Sequence, residues 1–214
     1  TFGHIAKAIG PQDFLIALLN NLKLQERQDR ICTTVAIAVV AEACGPFTVI
    51  PALLNEYRVS ELNVRNGVLK AMAFMFEYVV EMTRDYIYAS LSLIKTALTE
   101  RELVHRQQAC GIVKHIGINV VGLNCEDALI DILNYLWPNI FEDAPHFQMS
   151  FLDAIEGLRI GLGVNIIMKY LLQGLFHPAR KVRDPFWRVY NLLYVGAQDD
   201  LCMCFPTLPD EKNG

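Results

Sequence analysis

Strand signals are nearly absent from this 214-residue sequence, and so are the usual marks of a small enzyme. A membrane span needs roughly 20 almost uncharged apolar residues. The best stretch here, Val35 to Ala41, stops at Glu42. There is no P-loop to cradle phosphates, no G-x-S-x-G elbow and no H-E-x-x-H. The glycines of Gly157-Leu158-Arg159-Ile160-Gly161-Leu162-Gly163 follow no strand, so they match no dinucleotide fingerprint and are expected to loosen a helix end. None of the cysteines (Cys32, Cys44, Cys110, Cys125, Cys202 and Cys204) forms a C-x-x-C pair, and Cys202 and Cys204 are too close for a zinc knuckle. Buried, reduced thiols of an intracellular protein are expected instead. His105 and His115 share a helix without acidic partners at ligand spacing, so no metal and no cofactor is expected. The net charge of −4 gives no bulk attraction to nucleic acid, and RNA binding requires a local basic patch.

What the sequence does hold is helical periodicity. Hydrophobic residues make up 53% of the chain and charged residues 20%, a balance that predicts a folded chain with apolar surface left for a partner. Apolar side chains recur at steps of three and four in Ile31, Val35, Ala38 and Val39, in Val68, Met72, Met75, Phe76 and Val79, and in Leu129, Ile132, Leu133 and Leu136. Gly10-Pro11, Gly45-Pro46, Trp137-Pro138, Ala144-Pro145 and His177-Pro178 read as breaks. Thr83-Arg84-Asp85 and Asn124-Cys125-Glu126-Asp127 read as helix starts with a capping side chain and an acidic first turn.

Helix openings recur as well. Arg30, Arg65, Arg106 and Arg183 each open an apolar helix, and a further opening near Met149 lacks the arginine. In chain order these positions are 35, 41, 43 and 34 residues apart. Units of about 40–47 residues with two helices each are HEAT repeats, and Val64-Arg65 and Val182-Arg183 favour that type. The predicted fold is therefore all-α, a HEAT-repeat α-solenoid of about five helix pairs over residues 1–198, with a terminal tail at 199–214. The start, Thr1-Phe2-Gly3-His4, carries no basic-then-apolar leader and reads as a cut end. Aromatic residues from Phe74 to Tyr194 mostly fit inter-repeat core positions, with base stacking as the sharper reading for any one of them.

Two basic clusters stand out. Lys23, Arg27 and Arg30 share one face if the helix is continuous there, and such a ridge grips phosphates or is solvated and paired with Glu26 and Asp29. His177, Arg180, Lys181 and Arg183 follow a loop and suit RNA, an acidic protein or neither.

Longer strings narrow the choice. They include Ile5-Ala6-Lys7-Ala8-Ile9-Gly10-Pro11, Cys32-Thr33-Thr34-Val35-Ala36-Ile37-Ala38, Asp85-Tyr86-Ile87-Tyr88-Ala89, Leu103-Val104-His105-Arg106-Gln107 and Gly174-Leu175-Phe176-His177-Pro178-Ala179-Arg180-Lys181-Val182-Arg183-Asp184. Together they resemble the C-terminal HEAT repeats of the splicing factor 3B subunit 1 family over essentially the whole chain. The resemblance implies a non-enzymatic, nuclear scaffold of the U2 small nuclear ribonucleoprotein. It implies binding to the duplex of pre-mRNA branch site and U2 RNA, with the bulged adenosine in a pocket to which Ile31, Val35 and Tyr78 carry over. Lys23, Arg27 and Arg30 then become candidates for RNA phosphates. It also implies a PHD-finger-like zinc protein, a β-propeller subunit and a small helical subunit of the same complex as partners. Pladienolide-type splicing modulators compete for the pocket in that family.

The chain departs from the family pattern at Ile31, where Val is usual, in the stretch 116–123, and after Gln198. The repeats that supply the other wall of the pocket in the family lie upstream of this sequence. A generic HEAT scaffold of the transport or phosphatase type, binding only proteins, is the alternative. Salt-sensitive RNA binding separates the two.

Overall fold

The computed structural model describes residues 2–23, 27–59 and 61–197. Among them are eleven α-helices and no strand: α1 (Phe2–Ile9), α2 (Pro11–Asn21), α3 (Arg27–Cys44), α4 (Pro46–Val59), α5 (Leu62–Tyr78), α6 (Thr83–Thr99), α7 (Leu103–Asn119), α8 (Glu126–Leu136), α9 (Pro145–Leu162), α10 (Val164–Leu171) and α11 (Arg180–Gly196). A 3₁₀ turn, Trp137–Phe141, follows α8. Proline opens α2, α4 and α9, where its missing N–H costs no intrahelical bond. Gly45, with φ 95°, reverses the chain between α3 and α4 in a conformation that a Cβ would strain.

The odd-numbered helices α1, α3, α5, α7 and α9 pack side by side in one layer. The even helices α2, α4, α6 and α8 form the second layer, and α10 and α11 close the array against α9. Each odd helix buries apolar side chains against its neighbours, so Ile37, Leu69, Met72, Ile112, Ile116, Ile155 and Leu158 join one continuous core. The architecture is an α-solenoid of HEAT type, in which stacked repeats share a core that no single pair closes alone.

The recurring arginines explain part of the stacking. Arg30, Arg65, Arg106 and Arg183 each occupy the fourth residue of an odd helix, and Gln148 takes that place in α9. Arg65 donates to Glu100, just past α6, at 2.7 Å and to the Tyr57 hydroxyl at 3.0 Å. Arg106 donates to Asn139 and Glu142, just past α8, at 2.9 Å each. These bonds tie one pair to the next. Hydrogen bonds to charged partners typically contribute about 1.5–3 kcal/mol where solvent is partly excluded. Gln148 reaches the Glu142 carbonyl, and Arg183 donates to the carbonyls of His177 and Pro178.

Several expectations are corrected. Helices α6 and α8 start where expected and carry acidic first turns, but no side chain caps either one. The Thr83 hydroxyl instead donates back to the Val79 carbonyl and accepts from Asn119 of α7. Gly157 and Gly161 do not loosen a helix end. They lie inside α9, where a Cβ on Gly157 would fall 2.5 Å from the Lys114 carbonyl oxygen and one on Gly161 2.6 Å from that of Gly117. Bare backbone is what lets α7 and α9 touch. The aromatic residues divide: Phe76, Phe186 and Tyr190 are buried, while Tyr78, Tyr88, Tyr135 and Tyr194 are exposed. Among the thiols, Cys110 and Cys125 are buried, Cys44 is half-buried and Cys32 is exposed. Burial pushes the Cys110 thiol up to about 12. Cys202, Cys204 and the 199–214 tail lie outside the described residues.

Candidate nucleic-acid interface

A groove of about 300 Å³ crosses the first halves of α3, α5 and α7. Helix α3 contributes Arg30, Ile31 and Thr34, and α7 contributes Val104 and Gln108. From α5 come Asn63, Asn66, Gly67 and Lys70, at steps of three, one and three that place all four on one face. Gly67 keeps the floor low, since Leu22 packs beneath it and a Cβ there would meet Leu22 Cδ2 at 3.2 Å.

The chemistry of the lining is one-sided. It holds two cations, three amides and no carboxylate. The Lys70 ammonium lies 5.9 Å from the centre of the Phe74 ring, a cation–π contact that keeps it at the groove. Asn66 Oδ1 is buried without a hydrogen-bond partner, an acceptor that a bound donor satisfies. Thr34 turns its hydroxyl to the Ile31 carbonyl at 2.7 Å, so it offers mainly its methyl group. Ile31 is 36% exposed and forms an apolar spot beside the cations. Cations for phosphates, amides for base edges and an apolar shelf are the ingredients of an RNA contact surface.

The residues expected from sequence are only partly assembled here. Arg30 and Ile31 line the groove, and half-buried Val35 follows Ile31 one turn along α3. Tyr78 is the last residue of α5, eight residues past Lys70, or about 12 Å along the axis. It is 45% exposed and stands at the other end of the layer from Ile31. Of the candidate ridge of Lys23, Arg27 and Arg30, Lys23 follows α2 and Arg30 lies on α3. Helix α2 ends at Asn21 and α3 begins at Arg27, so Lys23 sits in the connection. Its ammonium pairs with Glu56 of α4 at 3.1 Å. The side chain of Arg27 lies outside the described residues. In the second basic cluster Arg183 is turned onto the loop carbonyls and Arg180 pairs with Asp184 at 3.3 Å. Lys70 was missed by sequence reasoning, although the polar stripe Asn63, Asn66 and Lys70 on an otherwise apolar helix marked it.

The core also holds a polar ring without a hydrogen-bond partner. His105 of α7 is fully buried, and neither ring nitrogen has a hydrogen-bond partner. Burial, followed by the nearby Arg65 cation, lowers its pKa below the usual imidazole value. Among the described residues, no group of three or more His, Cys, Asp and Glu gathers as metal ligands do, and no helix is long and apolar enough to cross a membrane.

The lined, carboxylate-free groove can be set beside known proteins. The U2 snRNP component prp10 of Schizosaccharomyces pombe is 56% identical over 212 residues, covering 99% of this chain and 18% of that protein. The U2 snRNP component HSH155 of Saccharomyces cerevisiae is 54% identical over 212 residues, covering 99% of this chain and 22% of that protein. The chain belongs to their family, the splicing factor 3B subunit 1 family. It spans about a fifth of the length of these relatives. A family model described as a PPP2R1A-like HEAT repeat matches residues 7–86, the stretch that carries α2 to α5 and most of the groove.

Proposed function

We propose that this chain is a stretch of a nuclear U2 snRNP scaffold that holds the pre-mRNA branch-site/U2 duplex in pre-mRNA splicing. The observation that carries this reading is the groove itself: Arg30 and Lys70 flank Ile31 with amides between them and no carboxylate in the lining. The cations hold phosphates and so fix register, while the amides and the apolar shelf meet a splayed base. Ile31 and Val35 supply the shelf for the bulged adenosine. Tyr78, at the far end of α5, supplies an aromatic plane for what lies next along the layer. Lys23 reaches a phosphate only by leaving Glu56. The proposed function is binding rather than catalysis.

The same reading assigns partners by family. The PHD-finger-like zinc protein completes the adenosine pocket, the β-propeller and small helical subunits of the SF3b complex meet other repeats, and pladienolide-type modulators compete with the adenosine. A second reading, a HEAT scaffold that binds proteins alone, is favoured by the PPP2R1A-like match over residues 7–86.

Fluorescence anisotropy separates the two readings. A labelled duplex carrying one bulged adenosine is titrated with the full chain at two salt concentrations, beside the same duplex without the bulge. The proposal expects binding that weakens steeply with salt, a preference for the bulge, and weaker binding by Tyr78→Ala at an unchanged melting temperature. Binding that is absent at low salt returns the chain to the protein-only reading.

A further inference from the structure

The even layer carries its own opening. A groove of about 460 Å³ lies between α4 and α6, with Arg65 of α5 in its lining. One wall is Leu54, Tyr57 and Arg58, a single face of α4, and the other is Ser92, Leu93 and Thr96 of α6.

Neighbouring even helices are bridged elsewhere in the stack. Lys23, at the end of α2, pairs with Glu56 of α4. Tyr88 and Lys95 of α6 bond Asp127 and Asp131 of α8 at 2.7 and 2.9 Å. Tyr170 of α10 bonds Asn134 of α8 at 2.7 Å. Across the α4–α6 groove the facing walls exchange no hydrogen bond and no ion pair among the described residues. The Thr96 hydroxyl donates back to the Ser92 carbonyl within α6.

Among the described residues, the charge in this gap that no carboxylate compensates is that of Arg58. Arg58 is exposed and makes no ion pair among the described residues. The Arg65 guanidinium lies 4.5 Å from the Tyr57 ring centre and is fixed by Tyr57 and Glu100, with its Nε buried and unpartnered. No carboxylate lines the groove, while half-buried Leu54 supplies apolar contact beside the buried Leu93. A fixed guanidinium, an exposed one and an apolar patch between two helices complement carboxylates alternating with leucine-type side chains.

We propose that the α4–α6 groove docks an acidic, leucine-bearing peptide segment of a partner protein, with Arg58 and Arg65 meeting its carboxylates and Leu54 its apolar side chains. This site is independent of the RNA reading, which concerns the other layer. The test uses the full chain and a fluorescein-labelled peptide of Glu and Leu at helical spacing, beside a control peptide with Lys in place of Glu. Arg58→Glu and Ser92→Glu change exposed side chains on opposite walls, and circular dichroism melts verify that both variants fold. The Glu/Leu peptide is expected to bind the wild type, the Lys control is not, and each substitution weakens binding at least tenfold while leaving duplex binding unchanged. No binding of the Glu/Leu peptide up to about 1 mM, a range in which even weak complexes form, overturns the proposal. Equal binding by wild type and both variants also overturns it. So does a loss of duplex binding in Arg58→Glu, which reassigns the groove to RNA phosphate.

Discussion

Where α7 meets α9, backbone touches backbone; where α3, α5 and α7 begin, the same layer stands open. At the first junction Gly117, Gly157 and Gly161 remove the side chains that normally set the spacing of two helices, and a Cβ on Gly117 would fall 2.5 Å from the Gly157 carbonyl oxygen. Lys114 and Asp153 add an ion pair across the seam at 3.0 Å. At the second, Ile31, Asn66 and Val104 line a groove between neighbouring helices together with amides and cations. Both junctions use one repeat plan. The size of a few interface residues decides whether the layer closes on itself or leaves room for a ligand.

The largest effect is expected from filling the closed junction. Gly157→Val drives a branched side chain into the Lys114 carbonyl, with no flexible neighbour to yield. Urea unfolding is expected to show a loss of about 3 kcal/mol or more, beyond the usual range of overpacking because the obstacle is backbone. A loss below 1 kcal/mol, near the ordinary range for a tolerated swap, means that α7 and α9 separate easily and the contrast fails.

A smaller effect concerns the buried ring of His105. His105 titrates below its unfolded value of 6.5 because burial disfavours its charged form. Below that value the unfolded chain binds a proton that the folded chain does not yet take up. Stability is therefore full above it and declines as pH falls toward the folded value. His115 is lowered for the same first cause and adds to the trend. In His105→Phe the urea midpoint is expected to fall less between neutral and mildly acidic pH than in the wild type. An identical pH profile assigns the trend to other groups.

The smallest effect has the opposite sign. Gly111 faces the α5–α7 contact, where a Cβ would meet only the Ala73 methyl at 3.8 Å, an ordinary distance. Gly111→Ala is expected to stabilise by about 0.5–1 kcal/mol, the helix-propensity difference, seen as a raised melting temperature. Destabilisation there means that this contact is as tight as the α7–α9 seam.

The same contrast governs what the sequence made legible. Features written in adjacent residues were readable: the Gly-Pro and Ala-Pro breaks, the acidic first turns of α6 and α8, and the arginines at the fourth helical position. Features that depend on a distant neighbour were not. Gly157 and Gly161 read as weak helix positions because the α7 backbone pressed against them is some forty residues away. The turn after α2 has neither proline nor glycine, so Lys23 read as continuous with Arg30. It forms while Leu22 buries itself under Gly67, a contact between residues 45 positions apart. The family strings led to Ile31, Val35 and Tyr78, but helix lengths place Tyr78 at the far end of the layer. Lys70 entered only when three helices were brought together.

The central claim is that the open groove of the odd layer binds RNA through its cations, and Lys70→Glu tests it most directly. Lys70 is half-exposed and makes no ion pair among the described residues, so the substitution gives up its contact with the Phe74 ring and leaves the buried core untouched. Anisotropy with the bulged duplex at low salt is predicted to show at least about a tenfold loss of affinity, a shallower salt dependence and an unchanged melting temperature. Equal affinity and an equal salt slope in wild type and Lys70→Glu contradict the claim, because a phosphate-binding groove cannot exchange a cation for an anion without effect.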